Sequence, residues 1–397
     1  MASSTNVTKP LPRSDYADFA IAVACGLILS ICAIFFVIVL FSDKMAGSRD
    51  FVSYWSTGVQ LRHHLDPYNY QQMYDVQHKA QLDAAGVLFM RNPPWALPLA
   101  YPLGFIPLRI AAFLWNLLLL ACLLTSVQMV RVMHGSPKNY VHWLGLAFTP
   151  AIICLDMGQT GLLTLLGMVL FLRLHKTHEF AAGLALWLCA LKPHLLLPFC
   201  AVLLIWIIVS RRYKILAGWL LTMATSTALA WWIDPSAWNR YLALMRSNPV
   251  QYEFVPTLSD AMRFWIHGQW IWLQYVPAAC ACVWALFYFW PRRSNWDWLD
   301  NGSLLLLVSV LVAPYCFPAD QCIVIPAVLH GMYKTRSRAV LALVAAILLA
   351  IQFEAWNVRI ISGYYMWMTP TWLACYLLAM RWSEAVDVAP VPAVAET

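Results

Sequence analysis

Residues 180–210 read FAAGLALWLCALKPHLLLPFCAVLLIWIIVS, an apolar stretch that is interrupted once, by Lys192-Pro193-His194. Basic residues occur on both sides of this stretch, at 173–176 and at 211–212. Because Lys and Arg mark the cytoplasmic side of a membrane, both ends belong to the same side. The chain must then enter and return with about 12–16 residues each way, fewer than the roughly 20 of a full crossing. The pattern predicts a broken hairpin whose Lys-Pro-His junction lies at membrane depth and faces outward.

The whole chain has the composition of a membrane protein. Of its 397 residues, 61% are hydrophobic and 11% are charged, whereas soluble domains have roughly 45–50% and about 25%. The apolar residues lie in long runs, unlike the short alternating segments of a transmembrane barrel. A soluble domain and a barrel are excluded, and an all-α polytopic membrane protein is predicted.

Charge and cysteine content exclude two further classes. The net charge is +7, but the basic residues occur one to three at a time between apolar runs. This spacing is typical of membrane topology and argues against a nucleic-acid partner. The 11 cysteines lie almost entirely in apolar runs without CxxC spacing, so they are interpreted as buried hydrophobic residues and no metal site is predicted.

The apolar runs predict about twelve crossings, some of them short or broken, with both termini in the cytoplasm. The first run, 19–41, is interpreted as a retained signal anchor because no small-residue cleavage site follows it. The others are 109–132, 140–155, 162–174, 180–191, 194–210, 215–233, 270–290, 303–313, 323–333, 340–353 and 366–381.

These runs predict one integral-membrane domain over residues 1–397. Its predicted cytoplasmic ends are 1–18 and 382–397, and its large extracytoplasmic loops are 42–107 and 234–269.

Two more stretches have the same broken pattern. Residues 140–174 are interrupted at 156–159, and residues 303–333 are interrupted between Pro314 and Asp320. Polar backbone at membrane depth is tolerated only where it lines a cavity or is buried in protein. The three breaks therefore predict one vestibule, open to the extracytoplasmic side, that is lined by Asp50, Gln159, Lys192 and Asp320.

Asp50 follows the first run, within GSRDFVSYW at 47–55. A carboxylate at the membrane face suits a general base that takes a proton from an incoming hydroxyl. The alternative is that Asp50 caps the helix that starts at Phe51, because Asp is a preferred N-cap.

Lys192 is the strongest single signal, since an ionisable side chain deep in an apolar stretch is a functional-site hypothesis by default. Its ammonium suits a lipid-linked phosphate, and the alternative is a structural ion pair with Asp156 or Asp320. Asp320 is expected to orient Lys192 or to bind sugar hydroxyls. Other predicted donor-binding residues are Arg91, Asn92, Gln159, His194, Gln321, Arg240, Arg246 and Arg359.

Structural roles remain the alternative for these other predicted donor-binding residues. Arg91-Asn92 precedes two prolines and an aromatic residue, so it suits an interfacial anchor as well as bidentate phosphate binding. Gln159 and His194 also suit structural hydrogen bonds, and Arg240 and Arg246 suit an interfacial helix.

Nucleotide-sugar chemistry is not supported, because the chain has neither a glycine-rich phosphate loop nor a DxD-type carboxylate pair for a divalent ion. A membrane transferase without them needs a donor that is already carried by a lipid.

The chain resembles the bacterial integral-membrane glycosyltransferases of the GT-C superfamily, and most of all family 87, the polyprenyl-phosphate-mannose-dependent mannosyltransferases. The resemblance covers most of the chain and rests on the order of short motifs: Asp50-Phe51 with Tyr54-Trp55, Asp66-Pro67-Tyr68, Pro93-Pro94 with Pro98 and Pro102, Gly158-Gln159, Lys192-Pro193, and residues 314–320.

The resemblance implies a GT-C fold in the bacterial cytoplasmic membrane with an extracytoplasmic active site. It implies inverting transfer of a hexose, with mannose the leading expectation, from a polyprenyl-phosphate sugar to a lipid or glycan acceptor. Asp50 matches the catalytic aspartate of the family's first loop, and Lys192 is similar in position to a donor-side lysine. No metal or other cofactor is expected, and the expected partners are membrane lipids and these two substrates.

Two other classes compete with a transferase. In a transporter or lipid flippase, Lys192, Asp156 and Asp320 would form a substrate path. The third class is a non-catalytic assembly subunit. The polar first loop with a membrane-face Asp favours the transferase, as does polarity directed to one side only.

Overall fold

The structure is a computed structural model that describes residues 50–80, 86–247, 257–358 and 363–383, with Val255 and eight positions between 23 and 38. Most of these residues are helical and none lies in a strand, apart from one isolated bridge between Thr335 and Ser383. The all-α prediction is confirmed. Most of the predicted first span, the N-terminal segment and nearly all of the tail lie outside the described residues.

The helices of the described ranges, in chain order, are α1 (Phe51–Arg62), α2 (Tyr70–Lys79), α3 (Leu97–Ala100), α4 (Leu108–Met133), α5 (Val141–Leu146), α6 (Thr149–Met157), α7 (Gly161–Leu174), α8 (Glu179–Cys189), α9 (Leu197–Val209), α10 (Tyr213–Ile233), α11 (Ala237–Ser247), α12 (Leu258–His267), α13 (Val276–Phe289), α14 (Asn301–Leu311), α15 (Ile325–Lys334), α16 (Arg338–Asn357) and α17 (Met368–Arg381). Short 3₁₀ helices connect several of them: Pro94–Ala96, Tyr101–Phe105, Pro193–Leu196, Ile271–Tyr275, Trp290–Asn295, Pro318–Val324 and Gly363–Tyr365.

Four helical segments of the described ranges are long and apolar enough to cross a membrane: α4, α10, α16 and the segment Ile271–Asn295 that contains α13. They coincide with four of the predicted runs. Several apolar helices thus characterise the chain as a membrane protein, while the number of crossings stays a prediction.

Residues 180–210 bend sharply at the predicted break. The helix α8 and the segment Pro193–Val209 meet at an angle of 119°. The break falls at Lys192 because Pro193 has no N–H to continue a helix. The shorter apolar segments Val141–Met157, Gly161–Leu174 and Asn301–Leu311 belong to the other two predicted broken stretches.

The predicted first loop, 42–107, contains a buried helix. Nine of the twelve residues of α1 are buried, including Phe51 and Tyr54. The helix packs on the 3₁₀ helix Tyr101–Phe105 through the glycine pair Gly58 and Gly104. A Cβ added to Gly58 would lie 2.2 Å from the Ala100 carbonyl oxygen. This packing fixes the start of α1, and therefore Asp50, against the protein body.

A second glycine pair joins α8 to α10, on the N-terminal side of the break. A Cβ added to Gly183 would lie 2.0 Å from the Ile215 carbonyl oxygen, and one added to Gly218 would lie 2.2 Å from the Phe180 carbonyl oxygen. Small residues allow the backbones of membrane helices to approach this closely.

We therefore expect Gly183→Ala to destabilise the protein by about 1–3 kcal/mol, the cost of overpacking a tight contact. The measurement is the thermal unfolding midpoint in detergent. The control is Gly268→Ala, whose added Cβ would meet the Phe264 ring at an ordinary 3.5 Å. Equal midpoints for the two variants would contradict the close packing of α8 on α10.

Candidate functional site

A cavity of about 400 Å³ lies where the breaks of the three hairpins meet. Its wall includes Asp50, Gln159, Lys192 and Asp320, so the four residues predicted to share a cavity do share one. The wall also includes residues of α1 and α11, residues 87–93, residues beside Gln159 and Lys192, and residues before and within the 3₁₀ helix Pro318–Val324. A volume of this size is typical of small-molecule sites.

Asp50 occupies the N-cap position of α1, but its side chain makes no capping hydrogen bond. The carboxylate instead accepts a hydrogen bond from Gln159 Nε2, with 2.6 Å between Nε2 and Oδ2. The interpretation of the Asp50 side chain as a helix cap is therefore wrong. The carboxylate faces the cavity.

The turn after α6 positions Gln159. Gly158 ends α6 with a φ of +69°, a left-handed conformation that favours glycine. Its carbonyl accepts a hydrogen bond from Trp115 Nε1 at 2.8 Å, and a Cβ added to it would lie 2.7 Å from Phe51 Cβ. Because Phe51 is the neighbour of Asp50, this contact fixes Gln159 relative to the carboxylate.

Lys192 is buried and forms an ion pair with Asp320. Its ammonium also donates a hydrogen bond to Gln159 Oε1 at 3.1 Å. The second carboxylate oxygen of Asp320 accepts from the Phe317 backbone N–H at 3.1 Å. Of the two ion-pair partners considered from the sequence, Asp320 is the one in contact. The pair forms part of the cavity wall and links two of the three breaks.

Polar groups thus form a continuous series across the wall, from Asp50 through Gln159 and Lys192 to Asp320. The series has a carboxylate at each end and the ammonium between them. Such a series of side chains can accept a proton at a carboxylate and hold an anion at the ammonium.

The His194 ring stacks on Tyr315 with 3.7 Å between ring centroids. Its Nε2 is buried and has no hydrogen-bond partner among the described residues. Both residues lie on the cavity wall. An aromatic face beside an unused ring nitrogen suits a polar ligand that carries hydroxyls.

Arg91 and Asn92 also lie on the wall. Asn92 is buried, and its amide donates to the Leu191 carbonyl at 2.9 Å, so this side chain holds the hairpin break. The segment before Arg91 is fixed by Gln77, which donates to the Leu88 carbonyl at 2.6 Å and accepts from its N–H at 2.9 Å.

Several predicted donor-binding residues lie away from the cavity wall. Arg240 pairs with Asp234 at 2.9 Å and with Asp66 at 3.7 Å, so it joins the two predicted loops. Gln321 is buried and accepts from Trp372 Nε1 at 2.9 Å. Arg246 is exposed on α11 and is absent from the wall. Arg359 lies outside the described residues.

Sequence reasoning did not select Tyr54 as a site residue. Its hydroxyl donates to Gln159 Oε1 at 3.1 Å, and its ring stacks on Trp115. The signal was available, because Tyr54 follows Asp50 by four residues and such a pair shares one face of a helix. Tyr241, Met245 and Phe317 also line the cavity, but nothing in their sequence context distinguishes them from packing residues.

In the described part of the chain, no group of three or more His, Cys, Asp or Glu side chains converges as a metal site would require. The charged side chains on the wall are Asp50, Arg91, Lys192 and Asp320.

Comparison with known proteins gives one match. The sequence profile described as glycosyltransferase family 87 matches residues 89–314, more than half of the chain. The matched region contains Arg91, Gln159 and Lys192, while Asp50 lies before it and Asp320 after it. Neither a curated protein nor a solved structure matches the chain significantly.

Proposed function

The chain belongs to glycosyltransferase family 87, and on that basis we propose that it transfers a hexose, with mannose the first choice, from a polyprenyl-phosphate sugar to a lipid or glycan acceptor. The transfer inverts the configuration at the anomeric carbon. It takes place in the bacterial cytoplasmic membrane, in the cavity that contains Asp50 and Lys192.

One observation carries this proposal: a carboxylate and an ammonium lie on one cavity wall and are joined through a single amide, that of Gln159. Transfer from a phosphate-linked sugar needs a base for the acceptor hydroxyl and a cation for the departing phosphate. The site supplies both within the reach of one sugar phosphate.

In the proposed reaction Asp50 accepts the proton of the acceptor hydroxyl. The hydroxyl oxygen attacks the anomeric carbon on the face opposite the phosphate, and a new glycosidic bond forms. The bond between the anomeric carbon and the phosphate oxygen breaks, and its electron pair leaves with the polyprenyl phosphate. Lys192 and Arg91 stabilise the negative charge that grows on that phosphate in the transition state.

The direction of the helices supports an extracytoplasmic site. The helices α7 and α9 and the segment that leads into α15 all begin beside the cavity. Basic residues lie at their far ends: Arg173, Arg211, Arg212 and Lys334. Because Lys and Arg concentrate on the cytoplasmic side, this arrangement supports a cavity on the opposite side.

The test of the proposed function uses the purified protein in liposomes with a polyprenyl-phosphate mannose labelled in the sugar and a membrane lipid extract as acceptor. We expect the label to move to a new product, and no transfer when a nucleotide-linked mannose is the only donor. Transfer from the nucleotide sugar alone would contradict the proposal. The absence of transfer from every polyprenyl-phosphate hexose that is assayed would also contradict it.

Sidedness is tested by cysteine labelling in a background without native cysteines. A membrane-impermeant maleimide is expected to label Gln71→Cys, which is exposed on α2, in intact spheroplasts. Lys138→Cys, exposed after α4, is expected to react only after permeabilisation. The reverse pattern would place the cavity on the cytoplasmic side.

A further inference from the structure

The amide of Gln159 contacts both Asp50 and Lys192. Its orientation follows from the chemistry of its partners: Nε2 can donate to the carboxylate, and Oε1 can accept from the ammonium and from the Tyr54 hydroxyl. A flipped amide would place two acceptors together at Asp50. Both ends of the amide therefore already have protein partners.

The backbone around this side chain is held from several directions. The Gln159 N–H donates to the Cys154 carbonyl at 3.0 Å, and the Gln159 carbonyl accepts from Cys154 Sγ at 3.1 Å. Phe51 packs against Gly158 on the other side. The Gln159 amide is thus held in place between the Asp50 carboxylate and the Lys192 ammonium.

Direct contact between the two charges would be harmful to the reaction. An ammonium in contact with Asp50 would stabilise the charged carboxylate and make it a weaker base. The same contact would draw the ammonium away from Asp320, its partner in the cavity wall.

We propose that Gln159 is a positioning residue that keeps Asp50 and Lys192 apart, so that the ammonium does not neutralise the carboxylate and stays paired with Asp320. This inference rests on the proposed function, and it replaces the expectation that Gln159 binds the donor itself.

The test is the pH dependence of kcat/KM for the wild type, Gln159→Ala and Gln159→Glu. Other titratable groups on the cavity wall are Tyr54 on α1, Arg91, His194, Tyr241 on α11, Tyr315 and Asp320, and all of these are unchanged in both variants. Gln159→Ala removes the group between the ammonium and Asp50, so we expect the ammonium to approach the carboxylate. The lost hydrogen bond of Gln159 raises the pKa of Asp50, but a nearby full positive charge lowers it more, so the acid limb is expected to move to lower pH by about 1 unit. In Gln159→Glu a second carboxylate lies beside Asp50, so the acid limb is expected to move to higher pH.

The matched controls are Gln71→Ala and Gln71→Glu. Gln71 also donates from its amide to a carboxylate, that of Asp75 at 2.9 Å, but this pair is exposed on α2. The controls are expected to keep the wild-type profile. Lower rates with an unchanged acid limb in both Gln159 variants would show a merely structural role and overturn the proposal.

A structure of Gln159→Ala, determined with a bound antibody fragment, provides a second readout that needs no activity. We expect the Lys192 ammonium within about 4 Å of the Asp50 carboxylate, the limit of an ion pair. Charges that stay as far apart as in the wild type would overturn the inference. A wild type that is inactive with lipid-linked sugars would reject the proposed function, while this structural comparison would still show whether Gln159 keeps the two charges apart.

Discussion

Asp50→Asn is expected to reduce sugar transfer by about 10²–10⁴-fold, the usual loss when a general base is removed. The isosteric amide cannot take the proton of the acceptor hydroxyl. Its carbonyl oxygen can still accept the hydrogen bond of Gln159 Nε2. The Asp50 side chain does not cap α1, so the unfolding midpoint is expected to stay within a few degrees of the wild type. The measurement is the single-turnover transfer rate.

The control for this variant is Asp75→Asn, which makes the same change at an exposed residue of α2 outside the cavity wall. It is expected to transfer at the wild-type rate. Near-normal transfer by Asp50→Asn would reject the catalytic role of the aspartate.

Lys192→Ala is expected to weaken donor binding and to slow transfer, because the phosphate loses a cation in the ground state and in the transition state. This single change also leaves the buried Asp320 without its partner. Removing one member of a buried pair costs about 3–5 kcal/mol of stability. The informative variant is therefore the double change Lys192→Met with Asp320→Leu, which removes both charges.

In the double variant, stability is expected to stay near that of the wild type. The dissociation constant of the lipid-linked donor, measured in liposomes, is expected to rise by about tenfold or more, since a hydrogen bond to a charged group contributes about 1.5–3 kcal/mol. The control is Lys176→Ala, which breaks an exposed ion pair with Asp297 away from the cavity and should change donor binding little. Normal donor binding by the folded double variant would show that Lys192 does not hold the phosphate.

The three breaks could be predicted from sequence because the membrane penalises polar interruptions strongly. A Lys-Pro-His junction within an apolar stretch has few acceptable surroundings, and a shared cavity is one of them. The same reasoning brought Gln159 and Asp320 to that cavity, where the structure places them.

The pairing of charges could not be predicted in the same way. Asp156 and Asp320 both lie at breaks, and the direction of each side chain depends on where its helix ends. Asp320 is on the 3₁₀ helix Pro318–Val324 and faces Lys192, whereas Asp156 is exposed on α6. Arg240 finds Asp234 six residues earlier and Asp66 in the distant first loop, a pairing that sequence spacing does not reveal.

The capping alternative for Asp50 also depended on backbone geometry. An N-cap residue normally has extended backbone, which aims its side chain at the free N–H groups of the first turn. Asp50 is already in the right-handed helical region, with φ of −57° and ψ of −24°. Its side chain is directed away from those N–H groups and toward Gln159. No sequence pattern distinguishes these two conformations.

The most direct test of the central claim is a structure of the Asp50→Asn variant with a polyprenyl-phosphate hexose bound. We expect the phosphate within about 3 Å of the Lys192 ammonium, as in charge-assisted hydrogen bonds. We also expect the anomeric carbon to lie between that phosphate and residue 50. A donor bound outside this cavity, or one whose phosphate contacts neither Lys192 nor Arg91, would contradict the account.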